Sequence, residues 1–300
     1  MIASRPYRDE GDFWALRRLI TELCGIQPPG RSWDVRRWDG RYFYSPEPGL
    51  DERTLARLRI WESGDGRVVA ALLSEGGREL HPHVHPDVAD LEEEVLAAGE
   101  DLASAAGDPD VFVLCYSYDV ARRRILERRG YGPTEDWGVI RRLRFGRGPL
   151  PEPVVAAGYR VRTTRDDDED HQRLADLLNA AFRRNKHHAG ETKGFQAHAP
   201  CFRRDLDLVA EAPDGTLAAY AAVCWDEANR TGIFEPVCTH PDHRQRGLAG
   251  ALMREGMRRA RAAGAVAIDV ETGSMEPANA LYDSLGFAEE HRGAVWAKKS

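Results

Sequence analysis

The stretch THPDHRQRGLAGAL, Thr239 to Leu252, sets a proline-led turn, several charged side chains and two glycines directly ahead of a run that reads as helical. A strand ending at Thr239, a turn and a helix opening near Gly247 form a junction whose first helical N–H groups lack internal partners and carry the positive end of the helix dipole. Such a junction binds anions. Gly247 and Gly250 remove side chains where an anion must approach the backbone, and Arg244 and Arg246 add formal charge beside it. The expected ligand is a phosphate or pyrophosphate.

Upstream of this junction, YRVRTT predicts a strand. The acidic run Asp166 to Asp170 then opens a helix with Leu174, Leu177, Leu178, Ala181 and Phe182 along one face. Three strand-like runs follow, LDLVAE, TLAAYAAVCW and TGIFEPVCTH, separated by the turns PDG and DEANR. Downstream come a helix over 247–263, the strand AVAIDVE, the helix PANALYDSL and Gly286-Phe287.

The first half repeats this order in different letters. A helix carrying Phe13, Leu16, Leu19, Ile20 and Leu23 leads to RLRIWE, RVVAALLS and RELHPHVHPD. A helix over 88–105, the strand VFVLCYSYD, the helix VARRRILERR and Gly130-Tyr131 complete the series. His85-Pro86-Asp87 answers His240-Pro241-Asp242, and Gly130 answers Gly286. Between the halves, GRGPLPEPVVAAG has the proline and small-residue content of a linker. The expected fold is α/β with an α+β mixed sheet. Two tandem domains, 1–147 and 159–300, are joined by a linker at 148–158, each a mostly antiparallel twisted sheet flanked by helices.

Composition narrows the class of partner. Three hundred residues suffice for two cores. A formal charge of -7 with charges of both signs in each half leaves no basic footprint for nucleic acid and no polybasic arm for a membrane. Asp9, Glu10 and Asp12 interrupt what a secretory signal would need, so a cytoplasmic location is expected. The five cysteines (Cys24, Cys115, Cys201, Cys224, Cys238) form no CxxC pair and read as reduced, mostly buried thiols.

Two motifs in the second half carry a resemblance. The run Arg244-Gln245-Arg246-Gly247-Leu248-Ala249 resembles the R/Q-x-x-G-x-G/A signature of the GNAT superfamily of N-acetyltransferases. PANALYDSLGF, Pro277 to Phe287, is similar to that family's tyrosine set four residues before Gly-Phe. The resemblance covers 159–300 and implies acetyl-CoA as co-substrate. Its pyrophosphate would lie on the N–H groups of the loop Gln245, Arg246, Gly247, Leu248, Ala249 and Gly250, with the charge of Arg244 nearby, and its pantetheine arm along Val237, Cys238 and Thr239. Pro236, with no N–H to give a ladder, suits the bulge that the family has in this strand. Tyr282 matches the general-acid tyrosine, and Asn279 on the same helix is a further contact to the CoA arm. Glu235, on one strand face with Val237 and Thr239, resembles the family's strand glutamate that takes the amine proton; His240 is the competing base.

Laid on these landmarks, the first half has none of this chemistry. Arg244 is answered by Ala89, Gly247 by Glu92, Ala249 by Glu94, Gly250 by Val95, Tyr282 by Leu126 and Glu235 by Leu80. Glutamates repel a pyrophosphate. The chain therefore resembles the tandem arrangement of some actinobacterial acetyltransferases, with only the second domain active and one acetyl-CoA per chain.

The resemblance implies a primary amine as acceptor, a small molecule being favoured over a protein, a peptide or a cysteinyl amine of the mycothiol-synthase kind. A non-catalytic acyl-CoA-binding regulator is the reading from another class, but a sensor needs only the phosphate cradle, and Tyr282 with Glu235 favours catalysis. Arg183–Asp205, rich in basic residues and histidines, is a lid candidate, and the aromatic stretch Arg31–Tyr44 is a second wall of an acceptor pocket between domains. In HPHVHP, His81, His83 and His85 alternate on a strand, but no carboxylate or cysteine completes a ligand pattern, and no metal is expected.

Overall fold

A computed structural model describes residues 1–26, 32–108 and 110–299. The first half runs β1 (Ile2–Pro6), α1 (Glu10–Gly25), α2 (Val35–Phe43), α3 (Glu52–Ala56), β2 (Arg59–Ser63), β3 (Val68–Glu75) and β4 (Glu79–Val84). It continues with α4 (Glu92–Ala105), β5 (Val111–Tyr116), α5 (Val120–Arg128) and β6 (Gly132–Arg144). Residues 145–159 carry neither helix nor strand. The second half runs β7 (Arg160–Thr163), α6 (Asp168–Phe182), α7 (Ala189–His198), β8 (Asp207–Glu211), β9 (Leu217–Asp226) and β10 (Thr231–Thr239). It ends with α8 (Leu248–Ala262), β11 (Ala267–Thr272), α9 (Glu276–Ser284) and β12 (Ala288–Lys298).

All these strands form one sheet in the order β1-β2-β3-β4-β5-β12-β6-β11-β10-β9-β8-β7. Among the described residues only β4–β5 and β10–β11 are parallel. The expected mixed, mostly antiparallel character flanked by helices is therefore what forms, with the sheets of the two halves joined into one. The halves exchange their last strands, since β12 pairs with β5 while β6 pairs with β11 and β12. A single core also joins them: Leu16 and Trp38 from α1 and α2 meet Leu73 of β3, Phe195 of α7 and Ile233 of β10. Strands far apart in the sheet order reach this core because the sheet twists and curls.

Duplication extends to atomic detail. Arg5 grips Asp12 with two 2.7 Å bonds, and Arg8 N donates to the same carboxylate at 2.8 Å. Arg162 grips Asp170 with two 2.7 Å bonds, and Arg165 N donates to it at 2.8 Å. Arg5 Nε also binds Glu62, as Arg162 Nε binds Glu211. Each clamp fixes the first strand of a half to the start of its first helix through a bidentate, charge-assisted pair. The His-Pro-Asp turns repeat in the same way. His85 Nδ1 accepts from Asp87 N and His240 Nδ1 from Asp242 N, both at 3.3 Å.

The histidine strand brings no three imidazoles together. His83 donates through Nδ1 to His81 O and accepts at Nε2 from Trp33 N, and burial pushes its pKa down to about 3. Both ring nitrogens are occupied. His85 holds its turn, with its Nδ1 3.3 Å from the Asp87 carboxylate, and His81 lies near those of Glu75 and Glu79. Among the described residues no helix is long and apolar enough to cross a membrane.

Candidate active site

The stretch 239–252 folds as a strand end, a turn and α8. Gly247 stands at the N-cap with φ of 71°, in the left-handed region that favours glycine, and a Cβ there would meet nothing within 4 Å. Glycine is needed for its dihedral and leaves the space in front of the helix open. Gln245 is also left-handed, at φ 60°. Among the described residues no side chain caps α8, so its first N–H groups are left to an outside acceptor. Leu248 and Gly250 are buried on the core side, while Arg244, Gln245, Arg246 and Gly247 are exposed. Arg244 donates to Ala181 O at 3.2 Å, and the Arg246 guanidinium lies 6.0 Å from the Tyr159 ring centre.

Beside this cradle the sheet opens. The parallel ladder of β10 and β11 ends at Ile233 and Asp269, although β10 runs on to Thr239 and β11 to Thr272. On its other edge, β10 pairs Phe234 with Val223 and Val237 with Ala221, which leaves a bulge at Glu235 and Pro236. The peptide between these two residues is cis. The bulge corrects one expectation, because an extra residue reverses the alternation of faces. Phe234 and Val237 both pack on the core under α8, whereas Ile233 packs on the core shared with α1 and α2. Glu235 turns to that second side, where its Oε1 lies 2.8 Å from Arg36 Nη1 of α2. Glu235 and Val237 do not share a face. Cys238 faces the α6 core, and burial pushes its thiol up to about 12. Thr239 ends the ladder opposite Ala219.

Tyr282 reaches the same opening from α9. Its ring is buried beside Phe287, with centres 6.0 Å apart, and no hydrogen bond occupies its hydroxyl among the described residues. Burial, and after it the charge of Glu235, raise its pKa to about 12 against the opposing pull of Arg141. The phenol therefore stays protonated at neutral pH. His240 instead holds the turn, as its counterpart does in the first half.

Arg141 is a residue that the sequence reading missed. It sits on the exchanged strand β6, donates to Asn279 Oδ1 at 2.9 Å and to Asp283 Oδ1 at 2.5 Å, and so pins α9 from the other half of the chain. The Asn279 amide also donates to Gly273 O and Met275 O, which fully engages it in fixing α9. It is placed to position Tyr282, where the sequence had assigned it to the CoA arm.

In the first half the matching places are filled. The ladder of β4 and β5 also stops after one pair, Glu79 with Phe112. Here, though, the buried Arg122 guanidinium donates to Pro82 O, Ser32 Oγ and Glu92. Glu93 pairs with Arg128, and Glu94 accepts from Trp61 Nε1 at 2.7 Å. Each acid at the start of α4 already has a partner of its own.

The 183–205 segment forms α7, packed on α2 and α6. Its charges are mostly paired nearby, Lys193 with Asp168 and His187 with Glu191. Its Phe195 stacks on Tyr44 with ring centres 4.4 Å apart, and Arg36 lies 5.3 Å over Tyr44. The 31–44 stretch thus meets the second half at the opening, with Arg31 outside the described residues.

Residues 171–287 match the model of the acetyltransferase (GNAT) family. A search of curated proteins finds no match. A GCN5-related N-acetyltransferase from Sphaerobacter thermophilus superposes with a TM-score of 0.68 at 20% identity, over 99% of this chain and 95% of its own. A tandem GNAT protein from the clavulanic acid biosynthesis pathway superposes with a TM-score of 0.69 at 18% identity, over 99% and 98%. A GNAT-family acetyltransferase from Colwellia psychrerythraea gives 0.62 at 12% identity, over 99% and 100%. Residues 171–287 thus match a GNAT acetyltransferase domain, and the chain from end to end has the fold of a tandem GNAT protein.

Proposed function

We propose that this protein moves an acetyl group from acetyl-CoA to a primary amine of a small molecule, in the cytoplasm, at a single site in residues 159–300. Residues 1–147 are then a cofactor-free half that shapes the acceptor side, and 148–158 is the linker. The observation that carries the reading is the uncapped start of α8 lying beside strands that part, with an unbonded tyrosine hydroxyl and a carboxylate at the opening.

The residues present fit acetyl-CoA. The loop from Arg244 to Gly250 offers backbone N–H groups, two guanidiniums and no blocking Cβ at Gly247, and Val237–Thr239 offer a strand edge where the ladder has stopped. When bound, acetyl-CoA supplies a thioester open to attack by an amine. Glu235 takes the proton that the amine must lose, and Tyr282, held protonated by burial, returns one to the leaving sulfur. Asn279 and Arg141 keep α9, and so Tyr282, in place.

The test is calorimetry with CoA together with thiol release from acetyl-CoA over a panel of amines. One CoA per chain with amine-dependent thiol release is expected. Two sites per chain would return a working cradle to the first half, and tight binding without turnover on any amine would mark a regulator.

A further inference from the structure

The open end of the β10–β11 cleft is faced by charges of both signs from both halves. Glu235 is half exposed there, its side chain 44% accessible, while its partner Arg36 is mostly buried at 13%. Arg36 rests against Tyr44 and Phe195, at 5.3 and 6.0 Å from the ring centres. Arg37, next on α2, binds Glu75, lies 5.2 Å over Trp33, and feels Glu271 and Glu235. Arg41 lies near the same Trp33 ring and acts on Glu75 and Glu79. The proposed base is thus held by a guanidinium from the other half, with a second guanidinium close behind.

This arrangement selects among amines. A polyamine or other bare cation brings only positive charge to a carboxylate that Arg36 already neutralises, and it must approach two guanidiniums to do so. Arg36 cannot swing away cheaply, because its aromatic shelf and its burial hold it. An acceptor with a carboxylate on the carbon next to its amine instead brings those guanidiniums a partner, in competition with Glu75 and Glu271 on Arg37. Its carboxylate takes the Arg36 and Arg37 donors, its ammonium takes Glu235, and one set of ion pairs replaces another with Glu235 now beside the amine proton.

Resting on the acetyl-transfer reading above, we infer that the acceptor is a free amino acid, and that Arg36 and Arg37 of the first half determine that specificity. A peptide N-terminus, whose neighbouring carboxyl is an amide, lacks the group that these arginines receive.

The test uses the full chain, saturated with acetyl-CoA, and three kinds of probe: the common amino acids, their carboxamides and 1,4-diaminobutane. At least one amino acid is expected to exceed its carboxamide at least tenfold in kcat/KM. Arg36→Gln should bring that ratio close to one, and Arg36→Lys should restore part of it. Arg37→Gln serves if the Arg36 variants do not fold, with a fall in the same ratio expected. As a readout apart from turnover, the preferred amino acid should raise the melting temperature of the CoA-bound wild type and not that of Arg36→Gln. Carboxamides or the diamine used as well as amino acids, or a ratio indifferent to both arginines, overturns the inference and leaves acetyl transfer standing. No CoA binding by calorimetry overturns acetyl transfer itself, and the inference with it.

Discussion

Replacing Gly194 by alanine tests whether the contact between α7 and the end of α2 shapes the acceptor side. A Cβ at this position lands on the carbonyl oxygen of Ser45, far inside van der Waals contact, and 3.1 Å from Phe43 O. Both are backbone atoms and cannot rotate aside. The two segments must part by roughly an ångström, which loosens the Tyr44–Phe195 stack and the shelf under Arg36. Overpacking of this kind costs about 1–3 kcal/mol, and the weakened aromatic pair adds about 0.5–1.5. Alanine recovers up to about 1 kcal/mol of helix propensity. The contact wins, and a net loss of about 1–3 kcal/mol is expected as a lowered urea midpoint at unchanged slope. Acceptor kcat/KM should fall about tenfold or more while CoA affinity stays at the wild-type value, since the α8 cradle lies apart from this contact. A variant as stable as wild type, or one losing CoA affinity instead of acceptor efficiency, would refute the reasoning.

Four further outcomes are expected. Tyr282→Phe should lower kcat on the order of 10²-fold without weakening CoA binding, and a change confined to KM would remove the tyrosine from proton transfer. Glu235→Gln should lower kcat by a similar order while CoA affinity stays at the wild-type value; a kcat within a few-fold of wild type would remove Glu235 from proton transfer. Arg122→Met strands the buried Glu92 and should cost about 3–5 kcal/mol, while adding Glu92→Leu should recover part of it; strictly additive losses in the double mutant would count against the buried pair. Burial lifts the Asp207 pKa to about 6, although Thr164, Gln196 and Tyr220 all donate to it. The folded chain thus keeps a proton that the unfolded chain releases near pH 4, and this site's stabilisation fades as pH rises from about 4 to 6. The stability lead of wild type over Asp207→Asn should shrink across that window, by up to about 3 kcal/mol. A lead that is flat with pH would disprove the raised value.

The α8 junction was legible because its signals are local: a glycine where a left-handed dihedral is needed, and arginines within one turn. The exchanged strands were not. β6 reads GPTEDWGVIRRLR, with little regular alternation, and its partners lie on β11 and β12 with two register shifts on the β12 side. Arg141 was invisible for the same reason, since its role depends on a neighbour more than a hundred residues away. The repeated clamp of Arg5, Arg8 and Asp12 with Arg162, Arg165 and Asp170 was present in the letters, but one extra residue in the second copy hides it from a direct overlay. The face of Glu235 was misread because strict alternation holds only where a strand has no bulge, and Pro236 had already announced one.

The strand exchange also sets an order of events during synthesis. Lys298 pairs with Val111, so the open edge of β5 has no partner until β12 has emerged. At about 5–20 residues per second, that edge waits on the order of ten seconds or more on the ribosome. An unpaired edge is where a chain recruits strands from its neighbours. Trimming β12 should therefore harm the half farther from it in sequence, leaving the acetyltransferase-like half to β6 and exposing the other as a seed for aggregation.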